Sequence, residues 1–216
     1  MSQAIAYLSS AYLAPIQYYH KLLSYPQVVI EQYDHYLKQT YRNRCNIIGA
    51  EGIQTLSIPI VKPSSPKSFM KDILISDHGN WKHLHWQAIR SAYSNTPYFE
   101  FYEEYFASFY KENNIKFLLD FNEQLQQTVL DLINCHPNYT YSKEYKMEFK
   151  PYEYDYRELI HPKKDFRKVD TDFISKPYYQ VFQQKHGFTP NLSIIDLLFH
   201  KGPAAVFYLY DSLLAE

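Results

Sequence analysis

Two short apolar runs close to the start of the chain, with one helix-length segment between them, restrict the folds open to this sequence. Residues 5–8 and 28–30 are both typical of buried strands. The segment after Pro15 has apolar residues at helical spacing, and Tyr25 is disfavoured in the α region because a proline follows it. A strand, a helix and a strand in this order normally form a right-handed parallel crossover. The chain is therefore predicted to start with two parallel strands.

A hairpin is predicted to follow this unit. Residues 44–48 and 53–61 flank a four-residue loop bounded by Gly49 and Gly52, and glycine-bounded loops of this kind close hairpins. Pro59 cannot donate to a strand ladder, so the second strand should lie at an edge of its sheet or end there. Residues 73–75 are a candidate for one more short strand.

Most of the remaining chain is predicted to be helical. Helices are expected after Asn80, after Pro97 and over residues 116–134, and two more should meet at Gly202. The expected core stripe of the first of these helices is Trp81, Leu84, Ala88 and Ala92. Residues 139–156 alternate aromatic and polar side chains, as in a solvated sheet or an extended aromatic loop.

Together these elements predict an α/β or α+β fold. A short mixed sheet, made of the strand-helix-strand unit and the hairpin, should pack against a mostly helical middle and C-terminal region. No internal repeat, linker or low-complexity stretch interrupts the sequence, so residues 1–216 are expected to form one domain.

The scarcity of glycine excludes several kinds of active site. The 216 residues include five glycines, and the sequence contains no Gly-x-Gly and no Gly-Lys. The Walker A loop and the dinucleotide fingerprint need glycines where the backbone approaches phosphates, so neither is present. Nine histidines occur, but their spacing predicts no metal site. The residue chemistry alone therefore names no reaction, and the cofactor is left unknown.

The net charge and the hydropathy of the sequence limit the kinds of partner that the protein is expected to bind. Lysine and arginine together number 22, and aspartate and glutamate 23, which leaves a formal net charge of -1. This balance gives no general attraction for polyanions, so nucleic acid is not an expected partner. No stretch approaches the ~20 apolar residues that span a bilayer, and the first residues lack the basic region of a signal peptide. We expect a cytoplasmic protein without a membrane span, and a homodimer stays open.

The densest polar stretch follows the second apolar run. It brings together His35, Lys38, Arg42, Asn43 and Arg44. If residues 42–46 are extended, the two arginines share one face of the strand and form a fork for a phosphate or carboxylate. Open α/β sheets also place ligands beyond the carboxyl ends of their strands. The alternative is a solvated charged loop whose arginines pair with surface acids.

Two further groups carry weaker signals. His83 shares a predicted helix stripe with Trp86 and Arg90 and is a candidate acid or base; the alternative is a histidine hydrogen-bonded at the start of the helix. Asp170 and Asp172 form the Asp-x-Asp pattern by which many sugar-nucleotide transferases hold a divalent cation; the alternative is an exposed loop.

Several stretches, in order along the chain, resemble landmarks of the WbqC-like protein family. The specific blocks are Lys-x-x-Tyr-Arg-Asn-Arg at residues 38–44 and Pro-Asn-Leu-Ser-Ile at residues 190–194. The less specific ones lie at residues 11–15, 56–60, 81–83, 93, 97–99, 188–199 and 202–203. Ser9 and Ser10 stand where the family usually has a Gln-Pro pair, a departure that allows a different ligand or binding without catalysis.

The resemblance implies a cytoplasmic transferase that moves a glycyl, aminoacyl or related group onto a nucleotide-linked sugar in bacterial surface-polysaccharide (O-antigen) synthesis. Its ligand would be a small anion such as a nucleotide sugar. The residues expected to bind substrate are Tyr12, Lys38, Arg42, Asn43 and Arg44, and the residue expected to act as base is either His35 or His83. The alternative, which leaves open whether the protein is an enzyme, is a non-catalytic ligand-binding or docking module of the same pathway.

Overall fold

The chain begins with a parallel crossover of two strands around one helix. The computed structural model describes residues 4–63, 65–111 and 114–210. Strand β1 (Ile5–Ser9), helix α1 (Ile16–Ser24) and strand β2 (Gln27–Glu31) follow one another, and β1 and β2 are parallel. Tyr25 leaves the helix in extended backbone because Pro26 follows it. The crossover predicted from the two apolar runs is confirmed.

The predicted hairpin is also confirmed, and it forms a sheet of its own. Strands β3 (Arg44–Gly49) and β4 (Gly52–Ser57) pair antiparallel, with Gly49 opposite Gly52. Gly52 has a φ of 107°, which side-chain-bearing residues rarely adopt, so a glycine closes this turn. β4 ends short of its predicted length, before Pro59, which could not donate to the ladder.

Three helices in the middle of the chain pack around the apolar core. They are α2 (Trp81–Tyr93), α3 (Phe99–Lys111) and α4 (Leu118–Leu132). α3 buries Phe99, Tyr102, Phe106 and Phe109. The stretch at residues 73–75 forms isolated bridges with Ile60 and Phe117 and not a regular strand.

The buried face of α2 differs from the predicted stripe. Leu84 is 63% exposed, whereas Trp86 is 4% exposed. The face that meets the core consists of Trp81, His85, Trp86, Ile89, Ala92 and Tyr93. The predicted stripe is right at Trp81 and Ala92 but wrong at Leu84, and it leaves out the large Trp86 ring, which stacks on Phe99 at 6.2 Å and on Tyr110 at 5.8 Å between ring centroids.

The tyrosine-rich stretch contributes the two edge strands of the first sheet. β5 (Tyr139–Tyr141) pairs with β2, and β6 (Glu153–Asp155) pairs with β1, both in parallel. The sheet therefore has the order β5-β2-β1-β6, and its four strands run in one direction. Their carboxyl ends share one edge, and the strand order reverses beside β1, which is where open parallel sheets bind ligands.

The last part of the described chain is helical. Its helices are α5 (Phe166–Val169), α6 (Gln183–His186), α7 (Ile194–Lys201) and α8 (Ala205–Tyr210). Ser193 precedes α7, but its hydroxyl donates to the Leu13 carbonyl at 2.7 Å and does not cap the helix. The second of the two helices expected to meet at Gly202 is predicted from the sequence to span residues 204–214, and residues 211–214 lie outside the described part of the chain.

A buried ion pair ties α1 to the segment after α5. Lys21 Nζ lies 2.8 Å from Asp170 Oδ1, and both side chains are 2% exposed. Gln17 donates to the other oxygen of Asp170 at 2.7 Å. The Asp-x-Asp interpretation is wrong for this reason, since the carboxylate of Asp170 is committed to two donors in the protein interior.

The predicted α/β class is confirmed by a parallel sheet and a hairpin combined with helices in the middle and C-terminal parts. Across the ranges that the structure describes, no helix is both long and apolar enough to cross a membrane. The extent of the domain, residues 1–216, stays a prediction.

Candidate functional site

A pocket opens at the carboxyl edge of the parallel sheet. Polar side chains follow the strands here, with Ser9 at the end of β1 and Glu31 at the end of β2. The cavity has a volume of about 340 Å³. It is lined by Tyr33, Asp34, His35, Leu37, Arg42, Phe69, Tyr145 and Glu158. We refer to it as the carboxyl-edge pocket, and its position matches the ligand sites of open α/β sheets.

Arg42 is the central cation of the carboxyl-edge pocket and is 2% exposed. Its Nε donates to Asp34 Oδ2 at 3.1 Å, and its Nη2 donates to the same oxygen, to Ser9 Oγ at 2.9 Å and to Glu158 Oε1 at 2.7 Å. Burial by itself would lower the pKa of Arg42, but the charges of Asp34 and Glu158 outweigh it and raise that pKa. The guanidinium is therefore held charged between two carboxylates.

Asp34 is the least satisfied group of the carboxyl-edge pocket. It is 6% exposed, and its Oδ1 is buried with no hydrogen-bond partner among the described residues. Burial raises the pKa of Asp34, and the neighbouring Arg42 charge opposes that rise without cancelling it. A carboxyl group with a perturbed pKa in a cleft is a candidate for acid-base chemistry.

A second network of buried hydrogen bonds, centred on Arg157, contacts one wall of the carboxyl-edge pocket. Arg157 donates to Glu31 Oε2 at 3.0 Å, and Ser142 Oγ donates to Glu31 Oε1 at 2.6 Å. Arg157 also donates to Asp155 at 2.8 Å. These bonds join the ends of β2, β5 and β6. The Arg157 guanidinium carbon lies 4.5 Å from the centroid of the Tyr145 ring, so the network also positions one wall of the pocket.

Aromatic rings form much of the remaining wall. Tyr33 meets Phe69 edge-on with ring centroids 5.8 Å apart, and His35 stacks on Phe69 at the same centroid distance. Rings of this kind offer flat apolar surfaces, while Asp34 and Arg42 offer an acceptor and donors nearby. A sugar needs both, since its ring has apolar C–H faces and hydrogen-bonding hydroxyls at its edges.

The structure brings some of the sequence-predicted residues to this pocket and leaves others away from it. His35 and Arg42 line it, and Lys38 is exposed on the same loop. Asn43 is buried and donates to the Ile58 carbonyl at 2.8 Å. Arg44 is half-buried on β3, is absent from the pocket lining, and has a buried Nε without a partner in the described part of the chain.

The two arginines do not share a strand face. Arg42 lies in a turn, and β3 begins at Arg44, so the two-residue periodicity behind the predicted fork does not apply. The charges of both arginines nevertheless affect the pKa of Tyr36. Burial raises that pKa, and the charges of Arg44 and Arg42 oppose the rise. The predicted fork is thus replaced by a single buried guanidinium at the pocket.

Tyr12 and His83 lie away from the carboxyl-edge pocket. Tyr12 is fully buried, with its hydroxyl 3.0 Å from His85 Nδ1 and 2.6 Å from the Tyr110 hydroxyl. His83 is exposed on α2 and does not line the pocket. Its neighbour on the buried face is His85, and burial lowers the pKa of His85 to about 4. Of the two candidate bases, His35, but not His83, lines the same pocket as Arg42.

Sequence reasoning missed Asp34 and Glu158. Asp34 stands in the polar stretch that was singled out, three residues after the end of β2, so its position was a usable signal. Glu158 offered none, because it meets Arg42 only through the parallel pairing of β6 with β1.

A comparison with protein families identifies the family of this chain. The WbqC-like protein family matches residues 10–160 and 156–208. The chain belongs to this family. A curated relative, "Uncharacterized protein Rv1507c" of Mycobacterium tuberculosis, is 24% identical over 224 residues, which cover 95% of this chain and 96% of the relative. No solved structure matches the chain.

Proposed function

We propose that this WbqC-like protein is a group transferase that acts on a nucleotide-linked sugar in bacterial surface-polysaccharide synthesis. The transferred group is glycyl, aminoacyl or related, and the acceptor sugar sits in the carboxyl-edge pocket. The observation that carries the proposal is Asp34, a buried carboxyl group with a raised pKa and one oxygen unpartnered within the described residues, at the wall of an aromatic pocket.

Three lysines on segments adjoining the pocket, which we take as its rim, support an anionic substrate. Lys163 Nζ contacts Gln39 Oε1, and Lys164 Nζ donates to the Glu158 carbonyl at 2.7 Å. Lys38 lies beside Gln39, and all three lysines are exposed. With Arg42 they make four cations against the carboxylates of Asp34 and Glu158, and the excess is positive. A diphosphate at this rim would leave the sugar directed at the aromatic walls.

The chemistry we propose for Asp34 is that of a general base. The sugar's amine or hydroxyl attacks the carbonyl carbon of an activated aminoacyl ester, a new C–N or C–O bond forms, and the ester's alcohol leaves. Asp34 takes the proton of the attacking group and returns it to the leaving alkoxide, so the carboxyl group ends as it began. A positioned base of this kind contributes roughly 10²–10⁴ in rate. His35, at the same pocket, is the alternative base.

A thermal-shift screen of the full-length protein with nucleotide sugars tests the binding step, since a ligand of the native state raises its Tm. For the chemical step, the Asp34→Asn variant, assayed at a temperature where circular dichroism shows it folded, should keep its affinity for the sugar that binds and lose transfer by roughly 10²-fold or more. The matched control is Asp77→Asn, which changes an exposed aspartate outside the pocket. Unimpaired transfer by Asp34→Asn, or no response to any nucleotide sugar, contradicts the proposal.

One observation favours the second candidate, a ligand-binding module without catalysis. Arg42 is paired on both sides, and of the two histidines that the sequence offers as base, His83 lies away from the pocket. A module of this kind would bind a nucleotide sugar with unchanged affinity in Asp34→Asn and would show no transfer in the wild type.

A further inference from the structure

Arg42 has two counterions, Asp34 and Glu158, which differ greatly in their exposure to solvent. We propose that Glu158 is an internal stand-in for an anionic group of the ligand, and that a carboxylate or phosphate oxygen displaces it from Arg42 when the carboxyl-edge pocket fills. The inference rests on the pocket assigned under the proposed function and names the ligand group that its central cation recognises.

The first support is the difference in burial of the two carboxylates. In the pair of Arg42 with Asp34 the side chains are 3% and 7% exposed. In the pair of Arg42 with Glu158 they are 3% and 51% exposed. Separating a buried pair leaves an uncompensated charge in the interior, whereas a half-exposed carboxylate is rehydrated when it is released. Asp34 is therefore the permanent counterion, and Glu158 is the one that a ligand can replace.

The second support is the unused donor capacity of Arg42. Glu158 accepts one hydrogen bond, from Nη2 at 2.7 Å. Nη1 of Arg42 makes no hydrogen bond to any residue in the ranges described, and it is not among the fully buried polar atoms that lack a partner. A ligand anion that reaches both Nη1 and Nη2 gains the two parallel bonds of a guanidinium fork, which Glu158 does not make.

The third support is what surrounds Glu158 once it is released. The charges of Glu158, Lys164 and Lys163 all act on His161, which places the carboxylate in a cationic neighbourhood. Glu158 also lines the pocket itself, so its movement away from Arg42 enlarges the space open to a ligand. The exchange thus replaces one anion by another at Arg42, and the released Glu158 carboxylate stays on a segment that carries Lys163 and Lys164.

The test follows the Arg42 Nε–H resonance while inorganic phosphate or acetate is titrated into the full-length protein at matched ionic strength. In Glu158→Ala we expect about fivefold tighter binding of at least one anion than in the wild type, the scale of a half-exposed ion pair. The more strongly affected anion identifies the ligand group as phosphate or carboxylate. Glu104→Ala, which removes an exposed glutamate on α3 outside the pocket, should bind as the wild type does.

A second variant keeps the test decisive if the alanine variant folds poorly. Glu158→Gln preserves length and hydrogen bonding but removes the charge, so it should shift the affinity in the same direction by less. Equal affinities in the wild type and both Glu158 variants, including undetectable binding in all of them, overturn the inference. Because anion binding needs no transfer, this result is independent of the Asp34→Asn experiment, and either idea can fail alone.

Discussion

Asp34 and Arg42 form a buried ion pair that joins the residues after β2 to the turn before β3. The pair closes the loop that carries His35, Leu37 and Lys38, three residues at or beside the carboxyl-edge pocket. Because both charged groups are nearly inaccessible, neither can lose the other to solvent at low cost. This ion pair therefore forms a rigid part of the carboxyl-edge pocket, and it holds the loop between Asp34 and Arg42 in position.

Removing one member of that pair should destabilise the protein strongly. In Arg42→Met the carboxylate of Asp34 stays buried without its cation, and we expect a loss of about 3–5 kcal/mol in the free energy of unfolding. Combining Arg42→Met with Asp34→Asn should recover part of the loss, because the uncompensated charge is then absent. Urea denaturation monitored by circular dichroism measures both effects.

The control for this prediction is Arg167→Met. Arg167 pairs with Asp165 at 2.9 Å, but its side chain is 71% exposed. Its removal should change the free energy of unfolding by less than ~0.5 kcal/mol. If Arg42→Met is as stable as Arg167→Met, the pocket does not depend on a buried ion pair.

A second buried pair predicts the same behaviour in another part of the fold. Lys21→Met leaves Asp170 with Gln17 as its remaining donor, and we expect a loss of about 3–5 kcal/mol in unfolding free energy. The comparison is Lys185→Met, since Lys185 and Glu51 pair at 3.1 Å with side chains 56% and 93% exposed. Magnesium should not protect the wild type from unfolding; protection of the wild type that is lost in Asp170→Asn would revive the Asp-x-Asp interpretation.

His85 predicts how stability responds to pH. Its pKa in the folded protein is lowered to about 4 by burial, while the unfolded value is the ordinary 6.5. Between these values the unfolded chain binds a proton that the folded chain does not, so stability falls as pH falls through this window and levels off below it. The full effect is about 3 kcal/mol.

The measurement compares unfolding free energies of the wild type and His85→Gln from pH 7 to pH 4. The variant is expected to lose less stability on acidification, although it also lacks the hydrogen bond between Tyr12 and His85 Nδ1. Parallel pH profiles for the two proteins would mean that His85 titrates normally in the fold.

Local sequence patterns predicted the elements that depend on neighbours along the chain. The crossover of β1, α1 and β2 follows from two apolar runs and one proline, and the hairpin follows from Gly49 and Gly52. The buried face of α2 could not be predicted from such patterns, because Trp86 is buried through its contacts with Phe99 and Tyr110 on another helix. Likewise, three-residue strands such as β5 and β6 have too little pattern of their own and exist through their pairing partners.

The sequence by itself determined the family resemblance, the parallel start of the fold, and a polar stretch containing His35 and Arg42 after a buried strand. Only the tertiary structure decided what Arg42 does, because Asp34 and Glu158 reach it from positions 8 and 116 residues away along the chain. Charged groups pair with whatever lies near them in space, and burial shifts their pKa values. The sequence predicted a pair of arginines free to bind an anion. In the fold, one of them, Arg42, is instead shared by a buried carboxylate, Asp34, and a half-exposed one, Glu158.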